Sequence, residues 1–492
     1  MKPFRFALHT IFGTQYKDAY HAFLSLFIFF LFSSAGLPGQ GYRIKISIPD
    51  LPDKEVILSH RFGLKFYSDD TVRTGPDGKA EFTGVNPLQG GMYQLVFPGK
   101  KFVEFFLDKD QNISVSTRAS APMDSLTFSG SLENSRFLEW QQQYGINRNH
   151  TGLIQSRLKK GNLSPDSTQL LNWEMKLLQE SGNRLWDSAI EDLSGTLPGI
   201  FIKGMKPVKV PESLGKPDTP DVRVNQYQYV RAHFFDAVDF TDERLLRTPL
   251  IETKIDQYFK QILPQIPDTL NQEAKRIIDR SKPVKEMYQF VVQYLFNLFT
   301  DPQIMGTDAV YVYIAENYYL AGETHWIDSA NLQGIRARVN ELKPLLLGKV
   351  APILEDLIDA NDQPLEIKDI KSNYLILYFW SPDCGFCKES TPKLHAQYVE
   401  LKQMGIEILA VNTRLDKDLW LKFIADNQLS WINVYSPKKV RDIVDKFQAL
   451  STPTLYILDS ERRIIAKGIS GEQVKPFLNQ YQAGIKAPSN AR

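Results

Sequence analysis

The sequence predicts a multidomain protein with an N-terminal all-β sandwich-like domain, an all-α middle domain and a C-terminal α/β domain. A chain of 492 residues is too long for a single hydrophobic core. Its apolar residues first alternate with polar ones, then recur at helical spacing, and finally form alternating strand-like and helix-like segments. We therefore predict five segments: a signal peptide over 1–40, a β domain over 41–130, a helical domain over 131–347, an α/β domain over 348–485 and a tail over 486–492.

The β prediction rests first on residues 42–48, where apolar and polar side chains alternate. Turn signals rich in glycine, proline, aspartate and asparagine separate the apolar runs that follow. Further strands are expected at residues 56–58, 80–82, 93–97, 102–107 and 113–116. Short strands at this spacing are typical of a small sandwich or barrel. His60 stands alone among these strands, and we interpret it as structural.

Helical spacing of apolar residues dominates from about residue 132 to residue 347. The strongest pattern, over residues 283–299, has Ser281 placed as a cap and Pro283 in the first turn. Its aromatic residues are typical of a helix buried among others, although they could also line a ligand groove. Four prolines between residues 203 and 222 indicate a long surface loop. The other predicted helices lie near residues 170–193, 245–263 and 309–320.

From about residue 348 strands and helices alternate, which indicates βαβ units and a mixed sheet covered on both faces. Residues 374–380 form an apolar run that suits a buried central strand. Three more strands are expected at residues 407–411, 454–458 and 464–467. The predicted helices cover residues 388–403, 417–427 and 439–447, and a last helix follows Glu472.

The charged residues are balanced, because 58 lysines and arginines face 57 aspartates and glutamates. A net charge of +1 gives no electrostatic reason to expect nucleic acid or an anionic membrane surface as a partner. A hydrophobic fraction of 43% is that of an ordinary globular protein, which excludes a disordered or collagen-like chain.

The N-terminus predicts export. Basic residues precede an apolar run over residues 22–32, and small residues follow it, which is the order of a secretory signal. The run is shorter than the roughly 20 residues that span a bilayer. We expect cleavage between Ala35 and Gly41 and a periplasmic location, with an uncleaved membrane anchor as the alternative. No cysteine follows the run in this region, so no lipid anchor on an N-terminal cysteine is expected.

The chain has two cysteines, Cys384 and Cys387, in one C-x-x-C motif. Two cysteines cannot build a disulfide framework or a zinc site of four cysteines. The motif follows the predicted strand over residues 374–380 and opens a helix, where free backbone amides stabilise a thiolate. We therefore predict a redox pair in which Cys384 attacks and Cys387 resolves the mixed disulfide. No cofactor and no metal are expected.

The segment from Trp380 to Cys387, with Pro392 five residues beyond it, resembles the motif of the thioredoxin superfamily. The residues 351–352, 365–370 and 417–435 resemble its exported TlpA/ResA-like branch. This resemblance covers about residues 348–482 and implies a C-terminal thioredoxin-like fold. It also implies that Thr452 and Pro453 face the dithiol, with the proline in cis form, and bind a substrate strand through their backbone.

Six residues around the motif are expected to support the site: Trp380, Asp383, Gly385, Phe386, Glu389 and Pro392. The β and helical domains resemble the N-terminal and middle modules that are fused to such proteins in Bacteroidetes-type bacteria. No activity of these two modules follows from that resemblance.

The sequence departs from the family at the positions that usually carry a proton acceptor for the second cysteine. Tyr378 occupies the position of the buried acid, and Ser390 that of the glutamate typical of the ResA-like branch. Glu389 is adjacent, and the identity of the proton acceptor for Cys387 stays open, with Glu389 or water to be considered if Asp383 has no influence on the thiol. Asp383 stands where thioredoxins usually have tryptophan. We expect its charge to disfavour the Cys384 thiolate and keep the thiol pKa relatively high, unless the carboxylate points into solvent.

Three alternatives stay open at this point. A peroxiredoxin-like peroxidase would use Ser381, but Leu377 replaces the proline such enzymes need. A metal site would need two further ligands, and His395 is the histidine nearest in sequence. An envelope binding or scaffold protein could carry a weakly active thioredoxin fold. On the preferred interpretation, the partners are protein thiols and disulfides and a membrane-bound redox protein.

Overall fold

A computed structural model gives the fold and describes residues 41–301 and 303–486. The predicted fold class is confirmed, since the chain runs from β sheets through a helical region to a mixed sheet with helices. The predicted signal peptide over residues 1–40 lies outside the described residues, as does most of the predicted tail. Within the described residues, none of the helices combines the length and apolar character that crossing a bilayer requires.

The N-terminal part is a sandwich of two four-stranded sheets, with strand orders β4–β1–β7–β8 and β3–β2–β5–β6. Its strands are β1 (Tyr42–Ser47), β2 (Glu55–Phe62), β3 (Lys65–Arg73), β4 (Lys79–Gly84), β5 (Gly91–Phe97), β6 (Lys101–Leu107), β7 (Asn112–Ser116) and β8 (Thr127–Ser129). Apolar side chains from both sheets, such as Ile44 and Leu58, form one core between them. The sequence patterns did not predict β3 and β8. No residue of β3 is buried, so no apolar face distinguishes it from a loop.

The middle part is helical, as predicted. Its α-helices are α1 (Leu132–Lys159), α2 (Pro165–Asp192), α3 (Leu197–Met205), α4 (Pro220–His233), α5 (Leu250–Gln257), α6 (Pro267–Ser281), α7 (Lys285–Leu298), α8 (Asp308–Ile314) and α9 (Ser329–Leu342). Short 3₁₀ turns cover Glu212–Leu214, Glu243–Arg247 and Lys343–Leu345, and π-helical turns cover Tyr258–Ile262 and Ala315–Tyr319.

One predicted helix start was wrong. Ser281 does not cap α7 but ends α6, where it is fully buried and its hydroxyl donates to the carbonyl of Ile278 at 2.7 Å. It continues the buried stripe of α6 at helical spacing from Ala274 and Ile278, which explains the burial. Pro283 lies in the connection, and α7 begins at Lys285. The predicted surface loop over residues 203–222 is shorter in the structure: α3 runs to Met205 and α4 begins at Pro220, so the connection covers residues 206–219 and contains one 3₁₀ turn.

The helical part packs against the outer face of the second sheet of the sandwich. Phe106 on β6 is 1% exposed, and its ring centroid lies 4.9 Å from that of Phe137 on α1 and 5.6 Å from that of Phe201 on α3. The side chain of Asn134 bonds to both the N–H and the carbonyl of Phe106, at 2.7 and 2.8 Å. The β and helical parts therefore share a core.

The C-terminal part is a seven-stranded mixed sheet of order β10–β9–β13–β12–β11–β14–β15. Its strands are β9 (Leu357–Asp359), β10 (Pro364–Leu365), β11 (Tyr374–Trp380), β12 (Ile406–Asn412), β13 (Ile432–Tyr435), β14 (Thr454–Leu458) and β15 (Ile464–Lys467). Its helices are α10 (Gly385–His395), α11 (Tyr398–Gln403), α12 (Lys417–Asp426), α13 (Val440–Lys446) and α14 (Val474–Lys486), with 3₁₀ turns at Ile367–Asp369 and Gly471–Gln473. The predicted helix over residues 388–403 is thus two helices, broken after His395.

Buried polar contacts join the helical part to this sheet. The ammonium group of Lys467 on β15 pairs with the carboxylate of Asp308 on α8, and both side chains are largely buried. The same ammonium group donates to the carbonyl of Leu345 at 2.6 Å. The strand that leads to the C-terminal helix is therefore fixed to the helical part.

Candidate active site

The two cysteines lie where the central strand of the C-terminal sheet meets a helix. β11 ends at Trp380, a short turn follows, and Cys384 is the N-cap of α10. The sulfur of Cys384 accepts a hydrogen bond from the backbone N–H of Cys387 at 3.4 Å. Because the first amides of a helix have no partner within the helix, a thiolate at the N-cap is stabilised by them.

Cys384 is half-buried and has a pKa below the ordinary value of a thiol. Burial tends to raise this pKa, but hydrogen bonds from the side chains of Thr452 and Cys387 and from the amides of Cys387 and Phe386 outweigh it. The Cys384 thiol also donates to the carbonyl oxygen of Thr452, with 3.1 Å between sulfur and oxygen. The group is therefore both accessible and inclined to ionise.

Cys387 differs from Cys384 both in its exposure and in the pKa of its thiol. It is fully buried one turn into α10, and burial raises the pKa of its thiol to about 12, with a further contribution from its interaction with Cys384. At neutral pH the Cys387 sulfur is protonated, so the two thiols of the pair are chemically unequal.

Thr452 and Pro453 lie opposite the dithiol, as predicted. The peptide bond between them is cis, and the carbonyl of Thr452 reaches the Cys384 sulfur from the start of β14. Pro453 is exposed. Beside it runs a groove of about 320 Å³, lined by Phe386, Glu389, Ser390, Lys393, Leu394, Thr452, Pro453, Ser470, Gly471 and Glu472. The groove extends from the first turns of α10 to the 3₁₀ turn before α14.

The predicted supporting residues fall into two groups. Phe386 is 78% exposed and Glu389 is exposed, and both line the groove. Trp380 is fully buried and packs against Phe423, with 5.0 Å between ring centroids. Pro392 lies inside α10, whose first residue is Gly385.

Two expectations were held for Asp383: a carboxylate that keeps the pKa of Cys384 relatively high by offsetting part of the helix-terminus effect, or one that points into solvent. The pKa of Cys384 is lowered. The Asp383 carboxylate is directed to Arg414, with 3.5 Å between Oδ2 and Nε, and both side chains are about half exposed. Its charge is thus paired and screened by solvent, and hydrogen bonds determine the state of the thiol.

A hydroxyl cluster includes the two positions at which the family usually has a carboxylate for the second cysteine. The hydroxyl of Tyr378 on β11 is 3.2 Å from that of Ser390 and 2.9 Å from that of Thr391. Thr391, which the sequence analysis did not single out, follows Cys387 by four residues on α10. Residues four apart share a helix face, so this spacing was the available signal.

The residues of the metal and peroxidase alternatives are placed differently: His395 contacts another side chain, whereas the carbonyl of Ser381 accepts a hydrogen bond from the backbone N–H of Cys384 at 3.3 Å. His395 Nε2 is 3.0 Å from the hydroxyl of Ser430, and Ser381 is fully buried below the turn. Across residues 41–301 and 303–486, no three His, Cys, Asp or Glu side chains are grouped to hold a metal ion.

Comparison with protein families gives three separate matches along the chain. A family described as thioredoxin-like matches residues 372–464. Two families described as domains of unknown function, DUF4369 and DUF5106, match residues 42–137 and 183–343.

Two relatives are named thiol-disulfide oxidoreductases. The thiol-disulfide oxidoreductase ResA of Bacillus subtilis is 27% identical over 130 residues, which are 26% of this chain and 71% of that protein. ResA of Bacillus cereus is 28% identical over 136 residues, which are 27% of this chain and 76% of that protein.

Two solved structures are also similar to this chain. A domain of a possible thiol-disulfide isomerase from Cytophaga hutchinsonii is 38% identical, covers 29% of this chain and 97% of that one, and has a TM-score of 0.28. A thioredoxin-like protein from Bacteroides caccae is 20% identical and covers 56% of this chain and 98% of that one, with a TM-score of 0.44. The C-terminal part of this chain is a thioredoxin-like domain of the thiol–disulfide oxidoreductase type, and it follows two modules whose families have no assigned function.

Proposed function

We propose that the protein exchanges disulfides with protein substrates outside the cytoplasm through Cys384 and Cys387. The observation that carries this proposal is the inequality of the two thiols. Cys384 is accessible at a helix N-terminus with a lowered pKa, whereas Cys387 is buried with a pKa raised to about 12. A pair of this kind suits attack by the first sulfur and resolution by the second.

In the reducing direction, the Cys384 thiolate attacks one sulfur of a substrate disulfide. A bond forms between Cys384 and that sulfur, the substrate disulfide breaks, and the other substrate sulfur leaves as a thiolate. Cys387 then loses its proton and attacks the Cys384 sulfur. The Cys384–Cys387 disulfide forms, and the second substrate thiolate leaves and takes up a proton. Two electrons pass from the dithiol to the substrate, and the oxidising direction is the reverse sequence.

The substrates we propose are extended segments of proteins. The cis-proline edge at Thr452 and Pro453 is exposed beside Cys384, and a backbone edge of this kind can bond to an extended chain. The adjoining groove combines the exposed ring of Phe386 with the charged residues Glu389, Lys393 and Glu472. A groove that is lined by both apolar and charged side chains suits a peptide better than a small apolar molecule.

The periplasm is the location we propose, on the order of basic, apolar and small residues at the N-terminus. We propose that a membrane-bound redox protein restores the oxidation state of the pair after each turnover. We further propose that the domain boundaries follow the segments 41–130, 131–347 and 348–485.

Two measurements on the purified protein test this function. Turnover of a disulfide-bonded protein with a chemical reductant should require both cysteines. Limiting iodoacetamide should label Cys384 before Cys387 in the reduced protein. A protein that binds partners but does not turn over a disulfide would be a scaffold, and preferential labelling of Cys387 would reverse the assigned roles.

A further inference from the structure

The edge strand β15 of the C-terminal sheet is held at its last residue, Lys467, by the helical part. The backbone N–H of Lys467 donates to the sulfur of Met305 at 3.2 Å, and its ammonium group pairs with the carboxylate of Asp308. Asp308 begins α8, and Met305 lies three residues before it. Met305 also packs against the apolar core that contains Cys387. The last residue of an edge strand is thus fixed from outside its own sheet.

The ion pair between Lys467 and Asp308 is a firm attachment because it is buried. The two side chains are 15% and 8% exposed. The second carboxylate oxygen of Asp308, Oδ1, is buried without a hydrogen-bond partner in the described part of the chain. Lys467 therefore supplies the positive charge that this carboxylate needs, and separating the two would leave a buried charge uncompensated. The pair keeps the end of β15 against α8.

The chain beyond β15 forms one wall of the groove beside the dithiol. Two residues separate Lys467 from Ser470. The wall consists of Ser470, Gly471 and Glu472, and the facing wall is α10 with Leu394. Gly471 lies directly on that helix, because a Cβ atom added to it would be 3.1 Å from the Cβ of Leu394. The two walls meet at this end, so the position of β15 determines the width of the groove.

The cis-proline edge on the other side of the dithiol has a support of its own. β14 is paired along its length with the central strand β11. Thr452 therefore stays beside Cys384 when the end of β15 moves. The hydrogen bonds of the Cys384 thiol are made with Thr452 and Cys387, away from the contact at Lys467. A change at that contact should alter the groove and leave the thiol unchanged.

We propose that Met305, Asp308 and Lys467 are positioning residues for the substrate groove, so that the helical part sets how tightly an extended segment binds there. This inference rests on the proposed function and gives the helical part a role in it. The three residues take no part in the exchange of disulfides. They act on the wall of residues 470–472, as side chains that support a binding site from behind commonly do.

Two chromogenic disulfides with the same leaving group separate substrate binding from thiol chemistry. One is free dithiobis(nitrobenzoate), and the other is an unstructured peptide whose single cysteine forms a mixed disulfide with thionitrobenzoate. With either, the Cys384 thiolate attacks one sulfur, a disulfide forms on Cys384, and thionitrobenzoate leaves as a coloured thiolate. Only the peptide is long enough to fill the groove. The dependence of the release rate on concentration gives a half-saturating concentration and a limiting rate.

Lys467→Met should raise the half-saturating concentration of the peptide disulfide by on the order of 10-fold, a usual size for coupling between two parts of a protein. The limiting rate and the rate with the free reagent should not change, because binding alone is weakened. Asp308→Asn keeps the shape of the side chain without its charge and should give a smaller increase. Lys417→Met is the matched control, because Lys417 pairs with Asp362 at 2.6 Å near the opposite edge of the sheet.

Met305→Ala tests the same contact without breaking the ion pair. It removes the acceptor of the Lys467 N–H, and the half-saturating concentration of the peptide disulfide should rise here as well. This variant leaves the buried charges compensated, so it keeps the test decisive where Lys467→Met does not fold.

The outcomes separate the positioning role from the proposed function. No coloured thiolate from either disulfide, or no saturation with the peptide, in the unsubstituted protein would contradict the proposed function itself. An unchanged half-saturating concentration in Met305→Ala, and in Lys467→Met where it folds, would overturn the positioning role alone. A folded variant that loses its reaction with both disulfides equally would also overturn it, since the contact would then support the whole site and not the groove.

Discussion

Phe106 joins the β sandwich to the helical part, so its replacement tests whether these two parts fold as one unit. Phe106 on β6 is 1% exposed and contacts aromatic rings from α1 and α3. Phe106→Ala removes the ring from between a sheet and two helices that are anchored elsewhere. These elements cannot close the cavity, so we expect a loss of about 3–5 kcal/mol in the free energy of unfolding.

The assay is denaturant unfolding followed by circular dichroism and by tryptophan fluorescence. The unfolding transitions of the first two parts, followed by either signal, should shift together to a lower denaturant concentration, because one shared core has been weakened. Phe102→Ala is the matched control on the same strand. Phe102 is 47% exposed, so its replacement should change stability by no more than about 0.5 kcal/mol. Separate transitions for strands and helices, or equal effects of the two variants, would refute the shared core.

Three further predictions concern the C-terminal domain. Asp383→Asn should leave the pKa of Cys384 unchanged, because the carboxylate faces Arg414; a fall in that pKa on titration would reinstate direct repulsion. Lys467→Ala should lower the free energy of unfolding by about 3–5 kcal/mol, because it leaves the buried carboxylate of Asp308 without its ionic partner. A loss below about 1 kcal/mol in a denaturation experiment would contradict the burial of this pair. The alkylation rate of Cys384 should rise with pH and reach half its maximum below the ordinary thiol pKa of about 8.5, since the thiolate reacts; a higher midpoint would contradict the hydrogen-bond pattern.

The sequence patterns predicted the fold class and the placement of the C-x-x-C pair because those depend on local information. Apolar runs marked the central strands, and the motif marked the start of a helix. β5 was predicted as a strand, but its contact with the helical part was not. Nearly all of its residues are buried, because helices cover one face and the sandwich core the other, so no alternation remained to reveal this contact.

The site shows the same division between local and long-range information. The cis-proline edge was predicted from its resemblance, and it faces Cys384. The partner of Asp383 could not be predicted, since Arg414 is 31 residues away in sequence. The bonds from Tyr378 to Ser390 and Thr391 also depend on how α10 packs on β11, which no spacing within either element specifies.

Capture of a mixed disulfide tests the central claim most directly. Cys387→Ala removes the resolving thiol and leaves Cys384 at the N-terminus of α10. After reaction with a disulfide-bonded protein, this variant should accumulate one covalent complex, linked through Cys384 and released by reductant. Cys384→Ala should form none. Equal trapping by both variants, or no covalent complex with Cys387→Ala, would contradict thiol–disulfide exchange through this pair.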